Sequence, residues 1–97
     1  MIHLQIIAKT EQQMSQIRDI LLMNLYTHSV EIDWNRTRYM RDGAKATVHK
    51  LSCLTKAAFF SEIQKQLHEH FDESEVQIFG IPLSHFDWSL TDNLKVE

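Results

Sequence analysis

Cysteine, proline and glycine are nearly missing from this chain: its 97 residues hold one cysteine, one proline and two glycines. A lone thiol, Cys53, excludes an internal disulfide and suits a reducing compartment. So few glycines exclude a glycine-rich phosphate cradle, and there is no low-complexity linker or internal repeat. No apolar run approaches the ~20 residues that cross a bilayer. The first residues carry no basic region followed by an apolar block and a small-residue cleavage site, so no secretion signal is expected there. Runs of like charge are absent too, and the net charge is −3, which argues against nucleic-acid binding by bulk electrostatics. The expectation is a cytoplasmic protein without nucleic-acid or membrane partners.

What is present fits one two-layer globular domain over residues 1–97, since 43% of the chain is hydrophobic and 24% carries mixed charge. Ile2, Leu4 and Ile6 alternate with His3 and Gln5 before Ile7 and Ala8, which predicts a central strand. Thr10 and Gln13 make a capping box, and Met14, Ile17, Leu21 and Leu25 recur at helical spacing behind it. Met23 falls opposite that stripe, as an exposed apolar residue or part of a contact.

The stretch Val30 to Leu54 organises the rest. Val30, Ile32 and Trp34 alternate with Glu31, Asp33 and Asn35, strand-tolerant residues follow to Arg41, and Asp42-Gly43 is a hairpin turn signal. A continuous strand from Val30 to Arg41 would span ~40 Å at ~3.3 Å per residue. A domain of ~100 residues has a radius of gyration of only ~13 Å, so the hairpin should overhang its core and meet another subunit. In the return strand Ala44, Ala46 and Val48 share one parity and Leu51 and Cys53 the other. Either a bulge near His49-Lys50 resets the register, or the two halves face different neighbours.

Thr55 is read as the cap of a second helix whose stripe is Phe60, Ile63, Leu67 and Phe71, with Phe59 at its edge. Val76 to Ile81 reads as a buried strand ended by Pro82. In the tail, Ser84 and Asp87 could cap a helical turn carrying Phe86, Leu90 and Leu94, although Phe86, Trp88 and Leu90 also alternate like a strand; a short helix is the reading taken. Strand, helix, strand, strand, helix, strand is the α+β ferredoxin-like βαββαβ sandwich, an antiparallel sheet with two helices on one face.

The same residues resemble the CutA divalent-cation tolerance family, within the PII-like group of trimeric ferredoxin-like proteins. Tyr39-Met40-Arg41-Asp42-Gly43 is similar to that family's Tyr-Trp-Trp-Glu-Gly hairpin tip. Leu51-Ser52-Cys53-Leu54-Thr55 stands in place of its Ile-Lys-Thr-Thr helix entry, and Ile78-Phe79-Gly80-Ile81-Pro82 in place of its Ile-Ile-Ala-Leu-Pro strand. The departures are Ser29 where a Cys often precedes the second strand, Met40 and Arg41 for the paired tryptophans, and His70 to Gln77 without the Tyr and Pro of the family's signature. The resemblance implies a non-catalytic binding or regulatory homotrimer that holds a small ligand, copper or another divalent cation between subunits.

Three sets of residues are candidates for a site. Cys53, His49 and His70 are the candidate metal ligands, with Cys53 the softest donor. Cys53 and His49 stand four apart on one strand, ~13 Å, too far for one ion without ligands from another chain. His68 and His70 point ~200° apart on a helix, and His3, His28 and His85 are isolated in sequence. Trp34, Arg36, Arg38, Tyr39, Arg41 and Gly43 are the candidate ligand or interface residues, the arginines being suited to an anion or to intersubunit ion pairs. A different class of function is a small ferredoxin-like dimeric enzyme, similar to monooxygenases, using Trp34, Asn35 and a histidine. No catalytic triad or carboxylate pair stands out, and no central strand carries the aromatic pair that single-stranded RNA would stack on.

Overall fold

The computed structural model describes residues 1–96. Strand β1 (Ile2–Ala8) leads to helix α1 (Glu11–Met23), then to β2 (Glu31–Tyr39), β3 (Lys45–Thr55), helix α2 (Phe60–His70) and β4 (Val76–Pro82). Single 3-10 turns lie at Ala57–Phe59 and Trp88–Thr91. The four strands form one antiparallel sheet in the order β2-β3-β1-β4, which is the ferredoxin-like arrangement that the element order implies.

Alternation in β1 does what its spacing dictates. Ile2, Leu4, Ile6 and Ala8 are buried under the helices, and their partners Thr55, Cys53, Leu51 and His49 on β3 share that face. Met14, Ile17 and Leu21 of α1 and Ile63 and Leu67 of α2 close the layer over it. The Thr10 hydroxyl accepts from the Gln13 N–H at 3.1 Å while the Gln13 side chain accepts from the Thr10 N–H at 3.0 Å, completing the capping box. Gly80, opposite Leu4, is small for a packing reason: a Cβ there would lie 2.8 Å from Ile2 Cδ1 and 3.4 Å from the Phe60 ring. Gly80→Val should therefore cost about 1–3 kcal/mol by overpacking. Chemical denaturation checks this, and an unchanged midpoint would show that the Ile2 and Phe60 side chains move aside freely.

The overhang is present. The molecule measures 43 × 27 × 19 Å, and β1 stops at the level of His49 while β2 and β3 run on to Tyr39 and Lys45. The arm beyond that level is largely exposed. The expected bulge exists at that height but on the other strand. Strand β3 pairs without interruption with β1, and the register breaks in β2, where Trp34 and Asn35 together oppose His49. No reset occurs in β3: Leu51 and Cys53 face the helices, while Val48 points to the opposite face.

Several local expectations are corrected. Leu25 does not extend the α1 stripe: the helix ends at Met23, Leu25 takes a left-handed φ of 59° and is exposed, and Tyr26 is buried instead. Thr55 does not cap α2, because its hydroxyl donates to the Tyr26 carbonyl at 2.6 Å as the last residue of β3. The 3-10 turn that follows rotates the aromatic pair, so Phe59 is buried and Phe60 and Phe71 are only partly so. Pro82 stays paired with Ile2 as the final residue of β4. The tail turn starts at Trp88 as a single 3-10 turn with no side-chain cap from Asp87, and Leu94 docks on the core beyond it. Met23 is an exposed apolar residue.

Candidate functional site

The α-helices cover one face of the sheet and leave the other open. The open face carries His3, Gln5 and Ile7 of β1, Leu54, Ser52 and Lys50 of β3, and Ile81, Phe79 and Gln77 of β4. At the end of this face where β2 begins, the register sets His3 beside Leu54 and Glu31 beside Ser52. The loop after α1 contributes Thr27, His28 and Ser29, the tail contributes Leu90, and together they enclose a half-open cleft of about 180 Å³. The Thr27 hydroxyl fixes the loop to the sheet by donating to the Leu54 carbonyl at 2.7 Å, with the Ser29 carbonyl 3.1 Å away.

The cleft gathers chemistry that is scattered in sequence. His3 and His28, isolated along the chain, line it together with Glu31 and Cys53. Two imidazoles, a carboxylate and hydroxyls, set beside Leu54 and Leu90, suit a small ligand with both polar and apolar surface. Cys53 is buried, and its thiol is pushed up to about 11 by burial, with the Thr27 hydroxyl opposing the shift. It is a neutral thiol at pH 7 and must lose a proton before it can bind an ion.

The expected metal residues lie at different places. Cys53 sits opposite Leu4 and His49 opposite Ala8, four residues along β3, and His70 closes α2 with its Nδ1 2.9 Å from the Gln66 carbonyl. Among the described residues, no three His, Cys, Asp or Glu side chains converge where an ion could be held. Trp34, Asn35 and a histidine, by contrast, do meet. The Trp34 ring lies edge-on to the His49 ring with centroids 5.3 Å apart, and His49 Nδ1 accepts the Asn35 N–H at 3.0 Å. Asn35 holds φ 57°, which Asn tolerates better than most residues, and the bulge leaves its N–H without a ladder partner. His49 supplies that partner, so one ring nitrogen is committed to the backbone.

The arm carries the interface candidates. Tyr39 is exposed with the Lys45 ammonium 5.5 Å from its ring centre, and Trp34 is 41% exposed. Gly43 turns the hairpin with φ 92°, and the Asp42 carboxylate accepts the Ala44 N–H at 2.9 Å. Arg36 pairs with Asp33 at 3.3 Å, Arg38 donates to the Gln77 side chain at 3.3 Å, and Arg41 lies at the tip. Sequence reading missed the cleft because its walls come from four separate segments. The Thr27-His28-Ser29 run of polar residues was the one available signal.

Comparison with solved structures matches this fold along nearly the whole chain. The divalent cation tolerance protein Cut A1 of Thermus thermophilus superposes with a TM-score of 0.79 at 16% identity, over 97% of this chain and 94% of that one. The periplasmic divalent cation tolerance protein CutA of Archaeoglobus fulgidus gives 0.74 at 18% identity, over 94% and 91%. A DUF3240 family protein of Shewanella baltica gives 0.66 at 12% identity, over 89% and 93%. No protein-family model and no curated protein matches the sequence. The chain has the CutA fold, on a sequence far diverged from those whose structures it shares. Among the described residues, no helix is long and apolar enough to cross a membrane.

Proposed function

We propose that this chain is a non-catalytic binding or regulatory protein of the CutA kind, assembled as a homotrimer in the cytoplasm, with a divalent cation or another small ligand held where subunits meet. The observation that carries this reading is the hairpin arm reaching past the end of β1 in a fold shared with divalent cation tolerance proteins. An isolated subunit leaves β2 and β4 as open edges and Phe79 and Ile81 exposed on the uncovered sheet face, and a ring of subunits would cover both. Copper is the first ion to test, because Cys53 is the softest donor bordering the cleft.

Light scattering should give a mass three times the 11.5 kDa of the chain. A stable dimer would instead favour the small-enzyme reading built on Trp34, Asn35 and His49. Calorimetric titration with copper under reducing conditions, repeated on Cys53→Ser, tests the ligand: heat that vanishes in the variant supports a site at the thiol, and no heat in either removes copper. Tyr39→Ala should weaken assembly more than it disturbs the subunit, whereas Gly43→Val would also strain the hairpin turn, where φ is 92°. Melting that depends on concentration just as the unaltered chain does would contradict this.

A further inference from the structure

All the walls of the cleft belong to one chain, so it is formed before any second copy arrives. The Thr27 hydroxyl holds the loop after α1 to the Leu54 carbonyl at 2.7 Å. Leu90 lies in the 3-10 turn of a tail tied down on both sides of it. The Leu83 N–H donates to the Met1 carbonyl at 3.1 Å and the Lys95 N–H to the Leu25 carbonyl at 2.8 Å, with Leu94 buried between them. A ligand entering a cleft held in this way has little chain to order, which favours binding.

Its charge has one sign. With histidines counted as neutral, Glu31 is the only formally charged residue that lines the cleft, and no Lys or Arg borders it. Among the described residues, no cation lies within 4.0 Å of the Glu31 carboxylate. The Thr27 hydroxyl is committed to backbone carbonyls. Among the described residues, the His3 and His28 rings and the Ser29 and Ser52 hydroxyls make no such bond, so their capacity faces solvent or a ligand. A divalent ion is poorly served, because no three donors converge on one point. A primary ammonium asks less: one carboxylate to balance its charge, and imidazole or hydroxyl acceptors for its remaining N–H groups. An anion would meet the Glu31 charge with no cation to offset it.

We propose that this cleft binds a small organic cation, a primary ammonium on a short hydrocarbon, with the ammonium at Glu31 and the hydrocarbon against Leu54 and Leu90. At ~30 Å³ for each water-sized group, a volume of about 180 Å³ holds about six non-hydrogen atoms, the size of a butyl or pentyl ammonium. The site rests on the small-ligand function proposed above and narrows that ligand to one chemical class. It does not depend on the ring of subunits.

Titration of the isotopically labelled chain with isobutylammonium chloride at neutral pH tests it, read by amide chemical shifts. Isobutanol and isovalerate serve as neutral and anionic comparators of similar size. Saturable shifts should appear at His28, Ser52 and Leu54, and both comparators should bind roughly tenfold or more weakly, since each lacks the charge-assisted bond. Glu31→Gln, an exposed position at the start of β2, should weaken the ammonium by a similar factor, and Leu90→Ser by about threefold or more. Equal binding of isovalerate, or an affinity unchanged in Glu31→Gln, would overturn the proposal. Copper moving these amides where isobutylammonium does not would overturn this ligand class and leave the small-ligand function standing. If neither moves any amide, both fall. The comparators act on the unaltered chain, so the test does not depend on a variant folding.

Discussion

Tyr26→Ala is expected to remove about 3–5 kcal/mol of stability, the range for deleting a buried aromatic ring. A domain of this kind has about 5–15 kcal/mol in total, so the variant should be partly unfolded near body temperature. Tyr26 is fully buried between the layers, and its ring meets Phe59 edge-on at 5.5 Å. Its backbone carbonyl receives the Thr55 hydroxyl and its own hydroxyl accepts from the Gln66 side chain at 3.1 Å, so one residue ties the end of α1 to β3 and α2. The tail depends on the same place. Lys95 lies over the ring at 5.1 Å, pairs with Glu62, and donates its N–H to the Leu25 carbonyl at 2.8 Å. Tyr26→Phe keeps the ring and should cost only about 1 kcal/mol for the lost hydrogen bond. Urea unfolding of the two variants separates the ring from the hydroxyl, and a loss under about 1.5 kcal/mol in Tyr26→Ala would mean the site collapses to fill itself.

Alkaline pH should destabilise the protein through Cys53. The thiol ionises near 9 in the unfolded chain and at about 11 in the folded one, because burial disfavours the thiolate. Below pH 9 both states hold the proton and the stability is fully present. As pH rises toward 11 only the unfolded state releases it, so stability is lost across that window. The loss levels off on the order of 2–3 kcal/mol above pH 11. Tyrosines and lysines titrate there as well, so the informative quantity is the difference between the unaltered chain and Cys53→Ala. That difference should shift by the stated amount between pH 8 and 11, and a constant difference would show that the thiolate is accommodated in the fold. The same protonated thiol should react slowly with disulfide reagents at neutral pH.

The frame of this molecule is written in short-range patterns. Alternation at Ile2 to Ala8, the Thr10-Gln13 box and the Asp42-Gly43 turn each act within a few residues, and each appears where its pattern puts it. The failures arise where a distant partner decides. Thr55 has the chemistry of a cap, yet the carbonyl it serves belongs to Tyr26, 29 residues away. The extra residue of the bulge sits in β2 because Asn35 can adopt a positive φ and His49 on the facing strand can take its N–H. Neither strand alone reveals that pairing. The candidate site was hardest to read for the same reason. His3, His28, Glu31 and Cys53 become neighbours only once β1, β3, the start of β2 and the loop after α1 are side by side.

The sheet order leaves β2 at one margin and β4 at the other, both with unspent main-chain donors and acceptors. In the assembly proposed above, such rims would be paired as successive subunits bend round until the last meets the first. The extra residue in β2 bends that strand where the arm leaves the core, and so would bear on the angle between neighbours in such a ring. If the chain closes into such a ring, losing that residue should change the ring's closure more than the fold of one subunit.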